Sequence, residues 1–174
     1  MEGWSKLDLA GLINKAQGMS PSLTIDPSLT FEFELPKQGA AYWQSISKGA
    51  GWPKRRDVNP ASIARLLPHI TLIDVFERDA GEVDLYGRLA GQELERIFGK
   101  IGGKNLREKF SYEQYLRWEV FARALLVSRE PIRIETQIAH KDQTFLMGEF
   151  FVGPLQDHEG ATMTILGFAE FKPL

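Results

Sequence analysis

Hydrophobic and polar residues follow two periods along this chain, one typical of helices and the other of strands. Residues 5–17 and 37–48 each place apolar residues on one side of a helix, so both predict amphipathic helices. Residues 20–36 hold three prolines and predict an extended arm or linker rather than a packed element. Ser111 opens the longest predicted helix, because Ser111 and Gln114 have the spacing of a capping box.

Five segments are rich in β-branched and large apolar residues, which is typical of strands. Short turns join several of them, so the neighbouring strands must run antiparallel. The order predicts an α+β fold: one five-stranded antiparallel sheet with helices on one face and an N-terminal helical extension. The predicted strands are Ile70–Glu77, Val83–Ala90, Ile132–His140, 144–153 and 162–171, and short helices are predicted at 61–67 and Gln92–Phe98.

The predicted strand Ile70–Glu77 has large apolar residues on both of its faces, as does the segment 145–152. A sheet with one face in water would alternate apolar and polar residues more cleanly. Something must therefore cover the second face, either the N-terminal helices or a second copy of the chain. We expect a homodimer built partly from residues 1–50.

Composition narrows the class of protein. The chain has 174 residues, 25% of them charged, with a net charge of −2, so we expect neither a nucleic acid nor a membrane surface as partner. It contains no cysteine, which excludes disulfides, thiolate catalysis and iron–sulfur clusters. The first residues lack the features of a secretory signal, and no apolar run is long enough to span a membrane. We therefore expect a cytoplasmic protein.

The sequence carries no recognisable catalytic or metal-binding motif. The five glycines between Val83 and Leu106 match neither a dinucleotide-binding fingerprint nor a P-loop. His69, His140 and His158 lack the spacing of metal ligands. Asp74 and Glu149 are charges within apolar strands and the best candidates for acid–base chemistry, although each can equally point to solvent. We therefore expect that the protein is not an enzyme and that it has neither a catalytic residue nor a metal site.

Several motifs between residues 42 and 106 resemble those of a known family. They are Tyr42-Trp43, Pro53-Lys54-Arg55, Leu66-Leu67-Pro68, Asp74-Val75 and Arg88-Leu89-Ala90-Gly91. Together they resemble a bacterial family of stand-alone PAS domains, found mainly in alphaproteobacteria. The resemblance covers residues 37–174 as a PAS-like domain and leaves residues 1–36 as an N-terminal helix and arm.

The resemblance implies a single-domain sensory or regulatory protein in signal transduction, which binds a small ligand, a signalling partner or both. A photoreactive flavin domain of this family needs a cysteine, and a haem domain typically needs a histidine on the long helix. Residues 111–129 contain no histidine, so neither cofactor is expected. Two possibilities remain: a small metabolite bound non-covalently, or a core without a ligand that is used only for protein contacts. No effector segment follows the last predicted strand, so we expect output through a partner protein.

The resemblance places a ligand between the sheet and the long helix. The family often has an aromatic residue at the position of Gly87, so its absence predicts free space there. Arg88 can hold an anionic ligand, or it can pair with Asp74 or Glu149, and we favour the ion pair. Aromatic residues at helical spacing are commonly ordinary core, but they are the candidate walls of the pocket: Phe98, Tyr115, Trp118 and Phe121.

Two other classes of protein remain open. A small hydratase or isomerase with the cone-shaped fold of nuclear-transport-factor-like proteins also buries a pocket between a curved sheet and helices. Two buried carboxylates near Arg88 with perturbed titration would favour that class. A purely structural adaptor with a filled core is the third possibility, and the absence of a cavity near Gly87 would favour it.

Overall fold

The computed structural model describes residues 3–47, 49, 51–140, 144–156 and 160–174. Lys48, the predicted turn at 141–143 and His158 lie outside the described residues. The helices are α1 (Leu9–Gln17), α2 (Glu34–Ile46), α3 (Gln92–Phe98), α4 (Leu106–Lys109) and α5 (Tyr112–Ser128). The strands are β1 (Leu23–Asp26), β2 (Ile70–Glu77), β3 (Val83–Ala90), β4 (Ile132–His140), β5 (Thr144–Leu155) and β6 (Met163–Pro173).

The six strands form one antiparallel sheet in the order β1-β4-β5-β6-β2-β3. This confirms the α+β class and corrects the predicted number of strands from five to six. The additional strand, β1, comes from the arm at residues 20–36, which was expected to stay unpacked. Leu23 and Ile25 are buried in the core, and β1 pairs with β4 at one edge of the sheet. Nearby prolines conceal this short strand in the sequence.

The two faces of the sheet carry different layers: helices α3, α4 and α5 lie on one face, as the sequence predicted, and the N-terminal helix α2 covers the other. On the first face, residues of α1, α3, α4 and α5 form a continuous core with every strand. On the second face, α2 and the 3₁₀ turn Pro60–Ile63 pack over β2, β5 and β6. The strands alternate between these layers: Ile165 and Ala169 of β6 face the first, and Leu166 and Phe168 face the second.

Helix α2 covers the second face at close range. A Cβ atom on Gly39 would lie 2.4 Å from Cδ2 of Phe168, so only glycine permits this approach. Trp43 is 7% exposed and donates a hydrogen bond from Nε1 to the carbonyl oxygen of Pro154 at 3.0 Å. The second face is therefore covered within one chain, as the first of the two sequence alternatives proposed.

Helix α5 begins as predicted. Ser111 Oγ accepts from the Gln114 amide at 3.3 Å, and the Gln114 side chain accepts from the Ser111 amide at 3.4 Å. The helix is buried on several sides, because α1 packs on its outer surface and residues Trp118–Leu125 are all buried. No helix in the described part of the chain is long and apolar enough to cross a membrane.

Candidate ligand pocket

An open pocket of about 700 Å³ lies on the first face, between α5 and the strands β4 and β5. The ends of α3 and α4 close one side, and the chain from Met19 to Leu23 closes another. Its size falls within the range of small-molecule sites, which are concave, largely apolar and supplied with a few polar groups. The pocket therefore has the shape expected of a ligand site.

Aromatic rings dominate one wall of this pocket. Trp118 is central: its ring centroid lies 5.4 Å from that of Phe110 in a stacked arrangement and 5.1 Å from that of Phe98 in an edge-to-face arrangement. Phe121 and Phe150 extend the wall, with centroids 5.8 Å from Trp118 and 6.5 Å from Phe98. Such rings offer large, stiff apolar surfaces for another ring or an alkyl chain.

The opposite wall mixes aliphatic and polar groups. Ile134, Thr136 and Ile138 of β4 line it, together with the half-buried side chain of Arg117. The guanidinium of Arg117 donates from Nη1 to the Pro21 carbonyl at 2.6 Å and from Nη2 to Thr136 Oγ1 at 2.5 Å. Burial lowers the pKa of Arg117, but an arginine remains charged at neutral pH. The half-buried cation of Arg117 therefore faces an otherwise largely apolar pocket.

The predicted aromatic residues fall into two groups. Phe98, Trp118 and Phe121 line the pocket as expected. Tyr115 is fully buried elsewhere, where its hydroxyl donates to the Val83 carbonyl at 2.6 Å. Burial raises the pKa of Tyr115 above its usual range. Because α5 contacts protein on both sides, helical spacing alone did not separate the face toward β3 from the face toward the pocket.

Gly87 does not provide the space that its missing side chain predicted. A Cβ atom there would lie 2.3 Å from the carbonyl oxygen of Ile101, so the segment after α3 already fills the position. The Gly87 amide donates to the Lys104 carbonyl, and the Gly103 amide donates to the Gly87 carbonyl, both at 2.8 Å. Glycine is required here for close contact between two backbones, and the pocket lies beside Phe98 instead.

Arg88 forms an ion pair with the fully buried carboxylate of Asp74 and stacks its guanidinium 4.9 Å from the Tyr86 ring centroid. Asp74 also accepts a hydrogen bond from the Thr164 hydroxyl at 2.7 Å. Asp74 lies on the second face with Leu72, whereas the pocket lies on the first. The structure therefore does not bring Arg88 together with the aromatic pocket residues.

Glu149, the other candidate for acid–base chemistry, is also on the second face. It accepts from Nε of Arg133 at 2.7 Å and from the amides of Glu32 and Phe33, at 3.0 Å and 2.8 Å, immediately before α2. One strand, β6, separates the strand of Glu149 from that of Asp74. These carboxylates anchor separate parts of the fold and do not form a pair. Within the described ranges, no group of three or more potential metal ligands converges.

Sequence reasoning missed several residues of the pocket. Arg117 was the easiest to find, because Gln114, Arg117 and Phe121 are spaced three and then four residues apart and share one helical face. A cation at a position that shares a face with apolar residues indicates that a charged side chain lines the pocket. The rings of Phe110 and Phe150 carried no such signal, since their approach to Trp118 depends on packing between distant segments.

PAS domains share with other small α+β domains an antiparallel sheet, a long helix across one face and a pocket between them. A sequence profile described as PAS domain matches residues 36–170. The chain therefore belongs to the PAS domain family, as its motifs suggested. This assignment supports a sensory domain and agrees with the observed fold.

Comparison with solved structures gives a distant match. An RNA-binding light-oxygen-voltage receptor aligns with 16% sequence identity and a TM-score of 0.40. The alignment covers 72% of this chain and 37% of that receptor, so the chain spans little more than a third of the receptor's length. No curated protein matches the chain.

Proposed function

We propose that this PAS domain is a sensor that binds a small, largely apolar molecule in the pocket beside Trp118 and passes the signal to a partner protein. The observation that carries the proposal is the open pocket of about 700 Å³ with its wall of aromatic rings. A protein core that serves only stability is close-packed, because unfilled apolar space lowers the free energy of unfolding. A ligand that covers these rings would recover that free energy.

The start of the arm, immediately before β1, is the proposed route by which ligand binding affects the rest of the protein. Met19, Pro21 and Leu23 form one side of the pocket, and Leu23 begins the edge strand β1. The arm is held by polar contacts to the pocket wall, from Arg117 to Pro21 and from Thr136 to the Ser22 carbonyl at 2.9 Å. A ligand between these elements would therefore alter an element at the surface of the domain.

The proposed ligand is a non-covalent metabolite rather than haem or a photoreactive flavin. The chain has no cysteine to form a flavin adduct and no histidine on α5 to bind haem iron. The enzyme alternative has less support than the sensor, because Asp74 and Glu149 lie apart on the face opposite the pocket. We therefore propose that this domain recognises its ligand without converting it, in the cytoplasmic, bacterial setting that the sequence favours.

A homodimer and a separate signalling partner remain predictions from the sequence. The dimer was inferred from a second apolar face that needed cover, and α2 supplies cover within one chain. The predicted dimer therefore requires a different surface. Light scattering after size-exclusion chromatography distinguishes a monomer from a dimer by mass.

Native mass spectrometry of the freshly purified protein tests the proposed sensor. We expect a bound small molecule that is released on denaturation. The variant Ile138→Trp, which places a ring in the pocket, should lack the bound mass, while Ile138→Val should retain it; circular dichroism checks that both fold. The proposal is contradicted if the wild-type chain carries no ligand and also binds no aromatic or aliphatic compound in a binding panel.

A further inference from the structure

Arg117 differs from two other arginines that contact α5, Arg107 and Arg123, in the nature of its partners. Arg107 and Arg123 approach the carboxylate of Glu119, at 3.7 Å and 3.3 Å. Arg117 donates only to a backbone carbonyl and a hydroxyl, and it forms no salt bridge with a carboxylate of the described residues. Burying a cation without a counter-charge is unfavourable.

The position of Arg117 connects this unbalanced charge to the aromatic wall. Arg117 precedes Trp118 in α5 and lies one helical turn before Phe121, and all three side chains line the same pocket. Two of the five N–H groups of a guanidinium are used in the contacts with Pro21 and Thr136. The others are available to a group that enters the pocket.

Two other charged side chains line the pocket, and neither neutralises Arg117. Lys109 and Glu113 are exposed, where water screens their charges. The ammonium of Lys109 lies 5.9 Å from the Phe110 ring centroid, and it adds positive charge to the pocket. An anionic group that enters beside Thr136 would therefore meet a half-buried cation as its nearest fixed charge.

We propose that the pocket selects an organic anion, with an apolar ring or chain on the rings of Phe98, Phe110 and Trp118 and a carboxylate or similar acid group on Arg117. A guanidinium binds a carboxylate by charge-assisted hydrogen bonds, which are stronger than those between neutral groups. This assignment rests on the proposed ligand-binding function and specifies the chemical class of the ligand.

Isothermal titration calorimetry with acid and amide pairs tests this inference. The probes are benzoate with benzamide, naphthoate with naphthamide, and decanoate with decanamide, in which the body is constant and only the charge changes. We expect the best-fitting acid to bind the wild-type chain at least about tenfold more tightly than its amide. Arg117→Gln should abolish this preference and leave affinity for the amide within about twofold.

Two further variants separate a local charge effect from other causes. Arg96→Gln removes a charge from the exposed side of α3, where Arg96 pairs with Glu93 at 3.0 Å, and should keep the preference for the acid. If Arg117→Gln loses affinity for both acid and amide, Arg117→Lys shows whether the lost charge or a change in packing is the cause. That variant retains the cation, so it should still favour the acid, and equal binding of acid and amide by it would overturn the inference.

The possible results also distinguish the inference from the proposed function. Equal affinity for acid and amide in the wild-type chain, or a preference that survives Arg117→Gln, overturns the anionic class while the pocket remains a ligand site. If the wild-type chain binds no member of any pair, the inference fails; the proposed function fails with it only when native mass spectrometry also finds no bound ligand.

Discussion

The two faces of the sheet are built from the same strands but packed in different ways. On the second face, Gly39 of α2 contacts the Phe168 ring without space for a methyl group. Buried charges on that face are paired, as Arg133 is with Glu149 at 2.7 Å. On the first face, an open pocket of about 700 Å³ remains, and the cation Arg117 there has only neutral partners among the described residues.

This difference predicts which face contributes most to stability and which would bind a ligand. A close-packed layer with satisfied polar groups contributes to the free energy of unfolding and offers no volume to a ligand. An open aromatic wall is less well packed and retains exposed apolar surface that a ligand can cover. We therefore expect substitutions on the second face to reduce stability and substitutions around the pocket to reduce binding.

The largest expected effect compares one phenylalanine from each face. Phe168→Ala should lower the free energy of unfolding by about 3–5 kcal/mol, because its ring is fully buried against α2. Phe98→Ala should cost less stability, since Phe98 is only half-buried, and should weaken binding of a naphthoate probe by about tenfold. Urea denaturation and calorimetry on both variants measure the two quantities. Equal losses of stability would contradict the distinction between the faces.

A smaller effect involves the polar side of α5, which faces away from the pocket. Burial raises the pKa of Glu119 above its ordinary value of 4.5, although Arg123 and Arg107 act in the opposite direction. One oxygen, Oε1, accepts no hydrogen bond from the described residues. The protonated form is thus favoured more in the folded than in the unfolded chain. Its contribution to stability is fully present below about pH 4.5 and is lost as pH rises through the folded pKa.

Glu119→Gln removes this titration, so the free energy of unfolding of the wild type minus that of the variant should decrease as pH rises from about 4 to about 8. Each unit of difference between the folded and unfolded pKa is worth about 1.4 kcal/mol. Urea denaturation across this range measures the decrease, with Glu113→Gln, an exposed carboxylate on the same helix, as a control. A difference that stays constant or grows with pH would show that burial does not raise the pKa of Glu119.

The sequence predicted correctly the elements whose first and last residues are determined by neighbouring residues. The bounds of β2, β3 and α3 agree with the prediction, because the hydrophobic period changes beside prolines and glycines. The capping box of α5 was also readable, since it involves only Ser111 and Gln114. The helix predicted at residues 61–67 instead forms the 3₁₀ turn Pro60–Ile63 and a second 3₁₀ turn from Leu67.

Features that depend on distant contacts were not readable from the sequence. The arm at residues 20–36 forms β1 because β4 lies beside it, and its prolines suggested a linker. Space was expected at Gly87, but the backbone of Ile101 occupies that position. Of the site residues, the pocket brings together Phe98, Trp118 and Phe121, whereas the neighbouring cation, Arg117, was overlooked although its helical spacing marked it.

The most direct test uses one tryptophan on each face as a reporter. Trp118 lines the pocket, while the indole N–H of Trp43 on the second face bonds to Pro154. Their indole N–H signals in a two-dimensional ¹⁵N–¹H NMR spectrum can be assigned with Trp118→Phe and Trp43→Phe. During a titration with naphthoate, we expect the Trp118 signal to shift to saturation while the Trp43 signal stays nearly fixed. A saturating shift of Trp43 with an unchanged Trp118 would contradict a ligand site on the first face.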